Sequence, residues 1–361
     1  MLPAGLLSFA IMSNYLARRH PLLAARWPVA ALTDLPTPVS TRRCTLGGRQ
    51  TTLLVKHDDK SGPLYGGNKV RKLEYLIQRA LDHNATRVAT YGAAGSNHAL
   101  ATAIYARHAG LECTCLLSHQ APKPAIARTL LAHQQLGTEV LYFGGPLQRR
   151  LAVQRRSLQH RNIFLLPLGG TCWLGNLGYI NAALEFAAQL EQEGMPCPER
   201  LYVAFGSMGT AAGLALGFAL ARLPLEIHAV RVTDPWVANE KRLRHLLLKT
   251  VRLMHQFDPG VPPDLAERTN VRIRDEFFAS GYGRSNPATE RAIRIARDDL
   301  GLQLEATYTG KAMAALLHDI ESGAASQPVF WNTYNSLPVS VPEDVTPDFD
   351  HLPAEFARYF D

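Results

Sequence analysis

The sequence predicts an α/β protein of two doubly wound domains, each built on a parallel sheet. Three observations carry that prediction. Short apolar runs alternate with stretches of helical period from about residue 86 onward. The alternation restarts once, after residue 170. Glycine turns follow the strands that open each series, as where a strand ends at the carboxyl edge of a sheet and the chain turns into a helix. Two such series imply two units with a cleft between them, and open parallel sheets bind ligands beyond the carboxyl ends of their strands.

Taken in order, "RVATYG" (87–92) reads as a strand, followed by a helix from Asn97 to Ala109. "ECTCLLS" (112–118) is a strand, 124–136 a helix, and "TEVLYFG" (138–144) a strand. An arginine-rich helix follows, then the strand "NIFLLPLGG" (162–170). The second series comprises a helix over 174–194, the strand "RLYVAFGS" (200–207), a glycine turn, and the strand "EIHAVRVTD" (226–234). It ends with a long helix in 239–257 and the strand "PVFWNT" (328–333). No sequence repeat is evident.

Composition limits the function classes. The chain of 361 residues is 47% hydrophobic and 19% charged, which suits a soluble enzyme rather than a disordered or fibrous protein. Its formal charge of +7 is concentrated in "LQRRLAVQRRSLQHR" (147–161), where paired arginines read as the wet side of an amphipathic helix. No aromatic residues interleave there, so a nucleic-acid stripe is not expected. Five cysteines without CxxC spacing suit neither a disulfide framework nor a zinc site, and point to a reduced, cytoplasmic protein with no metal. The apolar N-terminal stretch lacks a basic segment before it and a cleavage site, and Met12 is an alternative start. Leu201 to Ala221 carries no charge, yet its interior glycines would break a membrane helix, so a buried strand, tight loop and buried helix are expected.

Three loops suggest one ligand. In "SGPLYGGNKVRKLEYL" (61–76), Asn68 reads as an N-cap and Lys69 falls in the first helical turn. The positive end of the helix and the neighbouring Arg71 and Lys72 disfavour an ammonium there, as an amine nucleophile requires. A lysine in an ordinary glycine turn is the bland alternative. In "YGAAGSNHA" (91–99), capping alone explains Ser96 and Asn97. The functional reading has both facing a ligand at the sheet edge. "FGSMGTAAGLALG" (205–217) is neither a Walker loop nor a dinucleotide turn. Its backbone amides from Gly206 through Ser207, Met208 and Gly209 to Thr210 suit a single phosphate. Gly209, Gly213 and Gly217 are expected to let the helix approach the sheet closely. An activated lysine, a Ser/Asn pair and a monophosphate cradle together suit pyridoxal 5'-phosphate.

In order along the chain, "GGNKVRKLEYL", "GSNHA", "PLGGTCWLGNLGYINAALE", "FGSMGTAAGL" and "YTGKAM" resemble the fold-type II pyridoxal-phosphate enzymes of tryptophan synthase beta-like architecture. Within them the chain is similar to the group of D-cysteine desulfhydrase and 1-aminocyclopropane-1-carboxylate (ACC) deaminase. The resemblance covers roughly residues 30–340. It implies that Lys69 carries the cofactor, that Asn97 contacts the ring, and that Gly206 to Thr210, with Lys72, hold the phosphate. It also implies a small domain at 71–179 inserted into a large cofactor-binding domain of 1–70 and 180–361, and a homodimer. Ser96, Asn97, His98 and Tyr334 are the expected substrate contacts. Tyr282 and Tyr308 are expected over the substrate, with Lys69 and Ser96 as catalytic partners.

Where the deaminase-like pattern places a glutamate at the ring nitrogen, this chain has Thr309. A hydroxyl makes the ring a weaker electron sink, which favours α,β-elimination from D-cysteine or a similar small amino acid over opening of a cyclopropane. Gly95 replaces an expected glutamine, and "NTYNS" (332–336) replaces a glycine-rich loop. Both changes bear on the substrate rather than the cofactor. The competing readings are an ACC deaminase, a non-catalytic ligand-binding homologue, and a basic nucleic-acid binder.

Overall fold

A computed structural model describes residues 14–159, 162–337, 339, 341–342 and 344–360. The N-terminal apolar stretch and Met12 lie outside the described residues. Two short helices, α1 (Tyr15–Arg19) and α2 (Pro21–Arg26), lead into the strands β1 (Val39–Leu46) and β2 (Arg49–Lys56). Then follow α3 (Val70–Asp82), β3 (Arg87–Ala93), α4 (Asn97–His108), β4 (Glu112–Ser118), α5 (Pro124–Gln135) and β5 (Glu139–Tyr142). Next come α6 (Pro146–Gln159), β6 (Ile163–Leu165), α7 (Trp173–Gln192), β7 (Arg200–Phe205), α8 (Gly209–Ala221) and β8 (Glu226–Arg231). The chain closes with α9 (Glu240–Phe257), β9 (Val271–Arg274), α10 (Pro287–Leu300), α11 (Thr309–Glu321) and β10 (Val329–Trp331).

These strands make two sheets. One is four-stranded and wholly parallel, in the order β5-β4-β3-β6. The other has six strands in the order β1-β2-β10-β7-β8-β9. It is parallel except at one edge, where β1 and β2 pair antiparallel. This is a departure from the expected all-parallel sheet, and its cause is local. Gly47 and Gly48 both have positive φ (55° and 77°), which closes a two-residue hairpin whose twist matches its strands.

Local chemistry places the helix starts. Ser96, Asn239 and Asn286 accept from the amides of Ala99, Arg242 and Thr289, at 3.3, 3.0 and 2.8 Å. Pro124 and Pro287 occupy first-turn positions, where a missing N–H loses nothing. The uncharged run 201–221 resolves into β7, a tight turn and α8, and among the described residues no helix is long and apolar enough to cross a membrane.

The close approach at Gly213 and Gly217 is real, but its partner is helix α7 rather than the sheet. A Cβ on Gly213 would lie 2.3 Å from Tyr179 Cβ, and one on Gly217 2.5 Å from Ala183 Cβ. Close helix packing here draws the N-terminus of α8 toward the first turns of α7. The C-terminal residues lie across the four-stranded sheet unit. Phe356 packs edge-on to Tyr142 and His119, and the Tyr359 hydroxyl accepts from Gln120 N and donates to Gln120 O, both at 2.9 Å.

Candidate active site

The carboxyl ends of strands from both sheets open onto one cavity of about 500 Å³. It is lined by Lys69, Ser96, Asn97, His98, Gly206, Ser207, Met208, Thr210, Tyr282, Tyr308, Thr309 and Tyr334, so residues far apart in sequence converge there. Gly209 and Lys72 lie immediately behind this lining. A Cβ on Gly209 would come within 3.0 Å of Lys72 Nζ.

The turn before Lys69 explains its paired glycines. A Cβ on Gly66 would lie 1.9 Å from Asp59 O, and Gly67 has φ 86° with Thr333 O against it. The Gly66 amide donates to Asn335 Oδ1 at 2.7 Å, so the "NTYNS" segment clamps the lysine loop from the far side. Asn68 does not cap the helix as expected. Its amide group instead donates to Thr210 Oγ1 at 3.0 Å and ties the lysine loop to the glycine cradle. Lys69 itself occupies the N-cap position of α3.

Among the described residues Lys69 Nζ has no hydrogen bond or ion pair. Burial lowers its pKa to about 8, and the negative charge of Glu305 only partly offsets that. The depressed pKa was expected, but Arg71 is not its cause. Arg71 turns away into ion pairs with Asp58 and Glu185. Lys72 Nζ, pushed well down by burial and by Lys69, reaches only Gly169 O at 3.3 Å. Two lysine amines therefore sit beside the cavity, and among the described residues no carboxylate is bonded to either, which is the arrangement expected where an anion must bind.

The cradle is complete in backbone terms. The first amide of α8 with a helical acceptor is Ala212 N, bonded to Met208 O at 2.9 Å, leaving the amides of Ser207 to Thr210 without a partner among the described residues. Met208 holds a positive φ of 72°, which aims these amides together. Ser207 Oγ lies 2.7 Å from Thr171 Oγ1, a neighbour that sequence reasoning missed although it belongs to the quoted "PLGGTCW" stretch.

Opposite stand the phenols. Tyr282 and Tyr308 hydroxyls are 2.5 Å apart with their rings edge to face, one donating to the other, and burial raises both pKa values, so both stay neutral. Ser96 caps α4, Asn97 Oδ1 accepts from Tyr65 OH at 3.2 Å, and His98 Nε2 meets Thr90 Oγ1 at 3.0 Å. Burial, with Lys69 and Lys72 nearby, drives the His98 pKa down to about 3, so its ring stays neutral.

Glu305 was not anticipated. It shares the cavity wall, and its carboxylate accepts from the amides of Thr307, Tyr308 and Thr309 at 2.6, 2.7 and 3.0 Å. Thr309 Oγ1 in turn accepts from Glu305 N at 3.1 Å. The reciprocal Glu–Thr bonding across the start of α11 was the signal available in "EATYT". Among the described residues no group of three or more His, Cys, Asp or Glu side chains is placed to hold a metal ion. All five cysteines are free thiols.

Comparison with known proteins agrees with this chemistry. Residues 32–331 match the family described as pyridoxal-phosphate dependent enzyme. D-cysteine desulfhydrase of Salmonella paratyphi A is 32% identical over 308 residues, covering 82% of this chain and 89% of its own. The crystal structure of an ACC deaminase homologue superposes with a TM-score of 0.72 at 26% identity, covering 89% of this chain and 94% of that one. A fungal L-serine ammonia-lyase from Rhizomucor miehei shares the fold, with a TM-score of 0.57 at 16% identity and coverage of 84% and 93%.

Proposed function

Since the chain belongs to the family of pyridoxal-phosphate dependent enzymes, we propose that it is a lyase eliminating the β-substituent of a small amino acid, foremost D-cysteine. The residues fit the cofactor. Among the described residues Lys69 offers an unpaired amine and Ser207 to Thr210 offer free amides for its phosphate with Lys72 behind them, and Asn97 lies at the cavity wall for its ring. Bound there, pyridoxal phosphate supplies the electron-withdrawing ring that acidifies the substrate's Cα–H bond.

The chain's own groups do the rest. Lys69 Nζ, when freed, takes the α-proton as general base. Ser96, Asn97 and neutral His98, at the positive end of α4, hold the substrate carboxylate. Of the paired phenols Tyr282 and Tyr308, the one that accepts from the other donates its free O–H toward the departing sulfur, and Tyr334 closes the side beside Lys69. Thr309, on the same cavity lining, would partner the ring nitrogen. We assign 71–179 to a small domain and 1–70 with 180–361 to a large one, the last residues reaching back across the small unit. The five free thiols suit a reducing, cytoplasmic compartment, and a homodimer is the assembly we propose.

One observation carries the choice of reaction. The Glu305 carboxylate is committed to three backbone amides, and Thr309 offers only a hydroxyl. A ring without a carboxylate partner is a weak electron sink, sufficient where the leaving thiolate removes charge and insufficient to open a cyclopropane. The second reading, ACC deamination, draws on the likeness to the ACC deaminase homologue. One assay separates them. D-cysteine should yield pyruvate and sulfide. Formation of 2-oxobutyrate from ACC, with D-cysteine inert, would reverse the assignment.

A further inference from the structure

The cavity extends beyond the groups needed for cysteine, and its outer wall carries a cation that the proposed reaction does not use. Arg149, in the first turn of α6, lines the cavity and holds its guanidinium 4.5 Å from the centre of the Tyr91 ring. Among the described residues its side chain has neither an ion pair nor a hydrogen bond. The sequence placed this arginine on a wet helix face. The structure instead sets its guanidinium over the Tyr91 ring at the lining of the cavity. Phe143 and Leu168 line the same cavity, and Trp236 lines it from the six-stranded sheet side. Trp236 is 72% exposed, an apolar surface that a bound molecule could cover.

We propose that Arg149 is a specificity residue, and that the preferred substrate is a β-substituted amino acid whose substituent passes these apolar side chains and ends in an anion. The inference rests on the elimination chemistry above and names its leaving group. An arginine fork matches a carboxylate with paired hydrogen bonds. The amino acid's own carboxylate is already provided for at α4. With an S-(carboxyalkyl)cysteine, Lys69 Nζ removes the Cα proton, the Cβ–S bond breaks, and its electron pair leaves on sulfur. The thiolate is protonated to the free thiol, and water converts the released 2-aminoacrylate to pyruvate and ammonia. No oxidant is required.

Asp234 lines the same cavity from the six-stranded sheet side, so a closing Arg149–Asp234 pair is the competing explanation. The test uses the holoenzyme with S-(2-carboxyethyl)-D-cysteine, its neutral isostere S-(2-carbamoylethyl)-D-cysteine, and D-cysteine. The carboxylate should be preferred over the amide by about tenfold or more in kcat/KM, the size expected of hydrogen bonds to a charged group. Arg149→Gln should bring that ratio to about one through KM, and Arg149→Lys should restore part of it. Equal ratios in wild type and Arg149→Gln, with pyruvate formed from all three compounds, would overturn the specificity claim alone. A shared fall in kcat on D-cysteine in Arg149→Gln and Asp234→Asn would assign the pair to closure and overturn it as well. Failure to turn over any of the three would remove both this inference and the elimination reading.

Discussion

Two regions of this molecule bury lysines, and they treat them in opposite ways. Behind the cavity, Lys56 Nζ meets Glu185 Oε1 at 2.5 Å, Gln189 Oε1 at 2.6 Å and Thr37 O at 2.8 Å. Arg71 joins the same cluster through Asp58 and Glu185, and the other Asp58 oxygen accepts from Tyr179 and Trp331, each at 2.7 Å. Burial alone would raise the Glu185 pKa, yet Arg71 and Lys56 hold it down to about 2. In the cavity, Lys69 and Lys72 have no such company. Adjacent residues on one helix, Arg71 and Lys72, thus serve a closed network and an open one. A buried cation with every donor matched fastens β2, α3 and α7 together. A lysine amine with no anion bonded to it among the described residues marks where a ligand completes the structure.

The largest effect should come from the open region. Lys69→Ala should lower turnover by about 10²–10⁴-fold, the range for loss of a positioned general base, and abolish borohydride trapping of the cofactor. Its apoprotein should melt no lower than wild type, since an unpaired amine is removed. A Tm drop as large as that of a network variant would dissolve the contrast.

Glu185→Ala should act in the opposite sense. It strands Lys56 and Arg71 in the interior, and truncating a buried pair costs about 3–5 kcal/mol. Urea unfolding of the apoprotein measures this, and a loss under about 1 kcal/mol, the range of exposed pairs, would show that the network is no fastener.

The smallest effect is a shape rather than a loss. Cofactor loading needs the neutral Lys69 amine. Because its pKa is lowered to about 8, the loading rate should rise about tenfold per pH unit up to that value and then level off. A rate still climbing toward pH 10, as for an ordinary lysine, would place Lys69 outside the low-dielectric site.

Most strands of both sheets were legible because buried parallel strands are continuous apolar runs, and "ECTCLLS" maps onto β4 residue for residue. The β1 edge was not legible. "VSTRRCTL" is largely solvent-facing and carries two arginines, so only the following Gly-Gly pair signalled a hairpin. β9, with "VRIR", failed for the same reason. The lysine, Ser/Asn and glycine loops were readable because glycines and caps leave local marks. Glu305 and Arg149 were not, since their positions depend on which surface α6 and α11 present to a cavity formed between distant segments. Asn68 shows the limit most sharply. Its residue type suits a cap, but tertiary contact with Thr210 claims its amide.

The strand order has a consequence during synthesis. β10 lies in the middle of its sheet, between β2 and β7, although among the described residues it is the last of the ten strands to leave the ribosome. Until residues 329–331 emerge, β2 and β7 present open edges toward each other, and the nascent chain carries two unpaired strand templates. The four-stranded unit, contained within residues 87–165, can pair its strands well before that moment. A message truncated after α11 would therefore yield a polypeptide holding Lys69, the glycine cradle and both phenols, with its principal sheet still split in two. Such a product belongs to chaperones and proteases, and the short segment 329–331 decides whether an enzyme is made at all.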